Sequence, residues 1–169
     1  MQGSPLKRPL ADSALVVLLL LLGVSALIPG AMLMLAPDGH LIQMPMSNLQ
    51  QAPFRDYFIP GLLLFLFVGV FPVAVAYGLW RTPGWQWPDL INPFKQQHWS
   101  WAGSLAAGVI LIVWITVQVF LIKSIDFLHY LYWGWGAVLI VLTLIPGVRR
   151  FHQLDGRHAP RLEGRQGRN

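Results

Sequence analysis

Eight side chains that ionise or carry an amide stand at or near the ends of long apolar stretches, and together they frame what chemistry this chain can do. Arg55 and Asp56, followed by Tyr57, open one such stretch, and Gln118 lies five residues before Lys123 at the end of another. Asp126 and His129 begin the next, and His40 sits in the connection before Arg55. At 1.5 Å per residue, Gln118 is roughly 7 Å inside the end of its helix, and His129 is about one turn past Asp126. Arg55, Asp56, Tyr57, Gln118, Lys123, Asp126, His129 and His40 therefore fall in one layer. Arg55 is expected to pair with Asp126, and Asp56 with Lys123 or a protonated His129, leaving Gln118 to donate and accept toward the interior. Such a layer suits a polar headgroup or a small anion, because ionisable groups at membrane depth are costly to desolvate. The plainer reading is that helices carry charges where they leave the hydrocarbon. On that reading Gln118 is interhelical glue worth about 1 kcal/mol.

The elements that place these residues are legible from charge alone. Of 169 residues, 55% are hydrophobic and 11% charged, against roughly 25% charged in a soluble domain. Asp, Glu, Lys and Arg are absent from Ala14 to Ala36, Tyr57 to Trp80, Trp101 to Ile122 and Phe127 to Val148. Each stretch is long enough for the ~20 residues that cross a bilayer as a helix. The expected fold is an all-α, four-helix transmembrane bundle over residues 1–150, with 151–169 a disordered basic tail. Lys123 to Asp126 is short enough to force a tight hairpin between the third and fourth spans.

Basic residues set the expected orientation, since positive flanks are retained in the cytoplasm. Lys7, Arg8, Arg81, Lys95, Arg149, Arg150, Arg157, Arg161, Arg165 and Arg168 fall on one side, against Arg55 and Lys123 on the other. Ten against two puts both termini in the cytoplasm. A competing reading makes Lys7-Arg8, the apolar run and Val24-Ser25-Ala26 a cleaved signal peptide. The apolar run continues to Ala36, further than a signal peptide needs.

Ile-Pro-Gly occurs at residues 28–30, 59–61 and 145–147. These are expected to kink the first span and mark ends of the second and fourth. In the outer loop, Met44 to Leu49 reads as a turn into a short interfacial helix capped by Ser47. Trp85, Trp87 and Trp99 place the Arg81–Ser100 connection at headgroup level. Gly103 with Ala107, Ser104 with Gly108, and Gly134 with Ala137 let helices approach closely, within one bundle or between copies in a homo-oligomer.

The net charge of +5 with half of the basic residues in the last twenty-one points to anionic headgroups of membrane lipids rather than nucleic acid. Cys is absent, which removes disulfides and thiolate chemistry. No phosphate loop, His-Glu-x-x-His helix or Gly-x-Ser-x-Gly elbow is present, so the common hydrolase and nucleotide signatures fail. Haem ligation would require His40 to face His129, since His98 lies on the opposite side. The aromatic residues Phe127, Tyr130, Tyr132, Trp133 and Trp135 form a deep belt that could also serve as a pigment platform.

The stretch from Ala52 through Pro53-Phe54-Arg55-Asp56-Tyr57 to Pro60-Gly61-Leu62 resembles a family of small bacterial membrane proteins without an assigned activity. Ala52 stands where that family usually has serine. Trp114 to Gln118 and Leu144 to Arg150 are similar to its third and fourth spans, and the likeness covers most of residues 14–150. It implies four helices in a bacterial inner membrane. The layout is more distantly similar to DoxX-like four-helix proteins. The expected role is a non-enzymatic accessory or partner-binding subunit, with a small transporter or a lipid-binding or lipid-modifying protein as the alternative.

Overall fold

The computed structural model describes residues 8–50, 52–85, 88, 92–123 and 125–154. Four long helices carry the fold: α1 (Leu10–Leu35), α2 (Phe58–Arg81), α3 (Trp99–Ile122) and α4 (Phe127–Leu144), followed by the short α5 (Pro146–Phe151). All four long helices are apolar and long enough to cross a membrane. The protein is thus a multi-pass, all-α membrane bundle. Its outward faces are greasy, with Phe120 78% and Phe127 77% exposed, as lipid-facing surfaces must be.

The helices run up and down in ring order, α1 against α2, α2 against α3, α3 against α4, with α4 meeting α1 to close the ring. Arg8, Arg81, Trp99 and α5 share one end, called here the terminal end. The connections 36–57 and 123–126 make the opposite, loop end. Lys123 ends α3 in the left-handed conformation, φ 54°, and its N–H closes the last turn on the Val119 carbonyl at 2.9 Å. The expected hairpin forms there.

Glycine brings the helices together. A Cβ on Gly61 would stand 2.6 Å from Leu33 Cβ and 3.0 Å from the Gly30 carbonyl, so two of the three Ile-Pro-Gly motifs pack against each other. A Cβ on Gly108 would stand 2.9 Å from the Gly136 carbonyl, and one on Gly103 2.8 Å from Val75. Both glycines of α3 are therefore used inside the bundle. Gly134 meets nothing, and its neighbour Gly136 makes the close contact instead.

Proline accounts for the departures from four plain helices. Pro72 has no N–H, and just before it Leu64–Val70 widens to π-helical bonding, with Phe71 N–H reaching the Leu66 carbonyl. Such turns are frequent at functional sites. Pro29 is carried inside α1 without ending it. At Pro146 the fourth span stops: it ends at Leu144 rather than Val148, and α5 leaves in a new direction from an extended Ile145. The folded part also runs past Arg150, because His152 is buried and Leu154 N–H donates to the Gln96 carbonyl at 2.9 Å. Residues 155–169, where the basic tail was expected, lie outside the described residues, as does Trp87.

Candidate functional site

The two ends of the bundle treat polar residues differently. At the terminal end Asp12 is fully buried at the start of α1. Arg8, one turn earlier, donates its Nε–H to Asp12 Oδ2 at 2.5 Å and an Nη2–H to the Leu79 carbonyl of α2 at 2.7 Å. His152, 140 residues away, donates Nε2–H to Asp12 Oδ1 at 2.7 Å, and both side chains are wholly buried. His152 Nδ1 has no hydrogen-bond partner. Beside it His98 precedes α3: its Nδ1 accepts from the Ser100 hydroxyl at 2.7 Å and its Nε2–H donates to the Pro83 carbonyl at 3.1 Å. The His98 N–H donates to the His152 carbonyl at 2.9 Å. One turn deeper, Trp101 Nε1–H donates to the Thr143 carbonyl at 2.9 Å, and the Thr143 hydroxyl bonds Ser104 Oγ at 3.0 Å.

None of Asp12, His98, Ser100 or His152 stood out in the sequence as a site. Asp12 was excluded from the first span because it is charged, yet α1 begins at Leu10. Its one legible sign is an arginine four residues earlier, the spacing of an intrahelical pair. The Trp99 end of the connecting loop packs into the bundle, since His98, Trp99 and Ser100 are all buried.

At the loop end the helices part. No residue of α3 after Ile115 is buried, and none of α4 before Gly136. A cavity of about 360 Å³ fills the space, walled by all four helices and roofed by Ile42, Met44 and Asn48 of the loop. Gln118, Asp126 and His129 line it, with Ser25 and Pro29 from α1 and Trp114 and Tyr132 as aromatic walls. Leu64 and Val68 from the π-helical segment complete the α2 side.

Beside the cavity lies an apolar groove of about 130 Å³ between the first turns of α2 and the last turns of α3. Gln118, Trp114, Leu64 and Asn48 border both spaces, so they form the junction. The groove itself is walled by Leu63, Val117 and Leu121, with Phe54 and Tyr57 at its top.

Of the expected layer, then, Gln118, Asp126 and His129 come together and the others do not. Arg55 pairs with no carboxylate among the described residues; it lines a separate open pocket with Pro37, Pro53 and Asp56. Asp56 accepts from the Phe58 N–H at 3.0 Å, capping the first turn of α2, and does not meet Lys123 or His129. Lys123 caps α3 and lines none of these spaces. His40 is held by Asp38, whose carboxylate accepts from its Nδ1 at 2.6 Å, and that bond keeps the Asp38 carboxyl below its usual range. His129 lines the cavity and His40, held by Asp38, does not, so the two histidines considered for haem are not brought into one space. Tyr57 is buried, with its hydroxyl donating to the Pro45 carbonyl at 2.7 Å and its N–H to the Pro37 carbonyl at 2.8 Å. The Pro-Phe-Arg-Asp-Tyr stretch is thus a corner that ties the loop across the top of the groove. Within that loop the short helix is a 3₁₀ turn, Met46–Leu49, begun by Pro45 and not capped by Ser47.

Among the described residues no three His, Asp or Glu side chains gather as a metal site. The chain matches no family model, no curated protein and no solved structure.

Proposed function

We propose that the protein binds a lipid-like amphiphile between its helices, with the headgroup in the polar cavity and the apolar chain in the groove between α2 and α3. The observation that carries this reading is the adjacency at Gln118 and Trp114, which border both the cavity holding Asp126 and His129 and a groove lined almost wholly by apolar side chains. An amphiphile has that same division. The role is binding rather than catalysis, because among the described residues the cavity's ionisable side chains are Asp126, His129 and Tyr132, and the His129 imidazole is engaged at Nδ1 by the Asp126 amide. An accessory role beside a partner remains compatible, although the glycine contacts that would serve oligomerisation are largely spent inside the bundle.

The setting we propose is a bacterial inner membrane with both termini cytoplasmic. Support comes from the ten-to-two bias of basic residues and from the likeness of Ala52–Leu62 to small bacterial four-helix membrane proteins. Exposed Arg81, Arg149 and Arg150 at the terminal end suit anionic lipid headgroups there.

Purification in a mild detergent followed by mass spectrometry tests the binding role. The wild-type chain is expected to retain a stoichiometric amphiphile, and Leu64→Trp, which fills the junction, to lose it. Equal retention by both proteins refutes the reading. Orientation is checked separately with single cysteines at the exposed Ser47 and Gln96. An impermeant thiol reagent should label Ser47→Cys and spare Gln96→Cys in intact spheroplasts.

A further inference from the structure

The hydrogen bonding of the cavity residues narrows the headgroup, on the premise that the cavity holds an amphiphile. The Asp126 N–H donates to His129 Nδ1 at 3.0 Å. A nitrogen that accepts carries no proton, so the imidazole is the Nε2–H tautomer and its free edge is a donor. Gln118, on the facing helix, makes no hydrogen bond among the described residues, and neither does His129 Nε2. Both side chains line the cavity. A carboxamide left unpaired at this depth costs free energy until a ligand satisfies it.

Charge limits the partner further. Among the described residues no lysine or arginine lines the cavity, since Arg55 faces another pocket and Lys123 ends α3. A phosphate would therefore enter without a counter-cation, and desolvating it costs several kcal/mol. An ammonium fares little better. The one carboxylate, Asp126, is exposed at the rim and stands at the N-terminus of α4, whose positive dipole end offsets it.

We infer that the cavity selects an uncharged headgroup bearing a carbonyl or hydroxyl oxygen, which accepts hydrogen bonds from His129 Nε2–H and from the Gln118 carboxamide. Two kinds of membrane amphiphile share that chemistry, neutral glycerolipids with a free hydroxyl and polyprenols.

The full chain in nanodiscs, each doped at the same mole fraction with dioleoylglycerol, a long-chain polyprenol, phosphatidylglycerol or phosphatidylethanolamine, gives the test by native mass spectrometry. At least one uncharged probe should be bound about 10-fold more tightly than either charged one, a difference of about 1.4 kcal/mol, and which of the two it is identifies the source. Gln118→Leu and His129→Phe, on different helices, should each weaken that binding about 5- to 10-fold, the worth of one hydrogen bond, without changing the weak charged-lipid adducts. Equal or tighter binding of phosphatidylglycerol or phosphatidylethanolamine overturns the inference, as does wild-type affinity in both variants. In either of those cases, displacement of the bound probe by Leu64→Trp shows that the amphiphile site itself stands. If the wild type takes none of the four probes, the binding role falls with the inference.

Discussion

The terminal and loop halves of this bundle contain similar polar residues in opposite states. In the terminal half Asp12 bonds Arg8 and His152, Thr143 separately bonds Ser104, and the apolar side chains Leu15, Leu79, Leu139 and Val148 are fully buried near them. In the loop half Gln118 and the outer edge of His129 face an open cavity without a protein partner. A polar group inside a membrane bundle must be satisfied by something. Where the protein supplies the partner, the group holds the fold together; where it does not, the group is available to a ligand if it faces a cavity, as Gln118 does and the buried His152 Nδ1 does not.

Substitutions at matched depth separate the two halves, and the largest effect is expected at Asp12. Asp12→Ala leaves His152 buried and Arg8 without its carboxylate. A broken buried pair costs about 3–5 kcal/mol, and the part-exposed Arg8 favours the lower figure. Reversible unfolding in SDS–detergent mixtures measures it, and a loss below 1 kcal/mol would erase the contrast between the ends. His152→Ala should fall in the same range and be far from additive with Asp12→Ala, because the two report one contact.

Volume changes come next. Gly108→Ala sets a Cβ 2.7 Å from Ile140 Cγ1 and 2.9 Å from the Gly136 carbonyl, and overpacking of this kind costs about 1–3 kcal/mol. Ser25→Leu adds more volume, but at an exposed residue lining the cavity, so stability should hold while amphiphile retention is lost. Comparable destabilisation by both would mean that the loop half is as tightly packed as the other. Smaller again is Thr143→Val, which removes the bonds to Ser104 and Leu139; about 0.6–1 kcal/mol is expected on the same unfolding assay.

The least effect is expected at the loop surface, from the exposed Asp38. Its folded-state carboxyl is lowered, chiefly by the His40 hydrogen bond, so its contribution is present above the ordinary carboxylate range and lost as pH falls through the lowered value. Solvent screens that pair, and Asp38→Asn should match the wild type in melting temperature at pH 7.

The fold was legible because the bilayer forbids unpaired charge over long stretches, and the charge-free runs mark the helices to within a few residues. Their ends were less so. Asp12 lies inside α1 because Arg8 pairs with it and His152 donates a hydrogen bond to it, and the second of these partners is visible only in three dimensions. The site was legible in depth but not around the ring. Distance along a helix places Gln118, His129, Arg55 and Lys123 at one level, yet only packing decides which of them turn inward. The π-helical turn before Pro72 also escaped, since the proline marks a lost N–H without saying how the chain upstream will rearrange.

The link from Asp12 to His152 has a consequence for how the chain is made. A first helix entering the membrane during synthesis carries an acid that only Arg8 can balance, and its second partner arrives when nearly all of the described chain has been translated. All four long helices precede α5, so the bond that fixes the start of the first can form only after the other three and α5 have been made. Chains that stop short of His152 would be left with an incompletely paired carboxylate at the membrane boundary, a mark by which membrane quality control could tell unfinished molecules from finished ones.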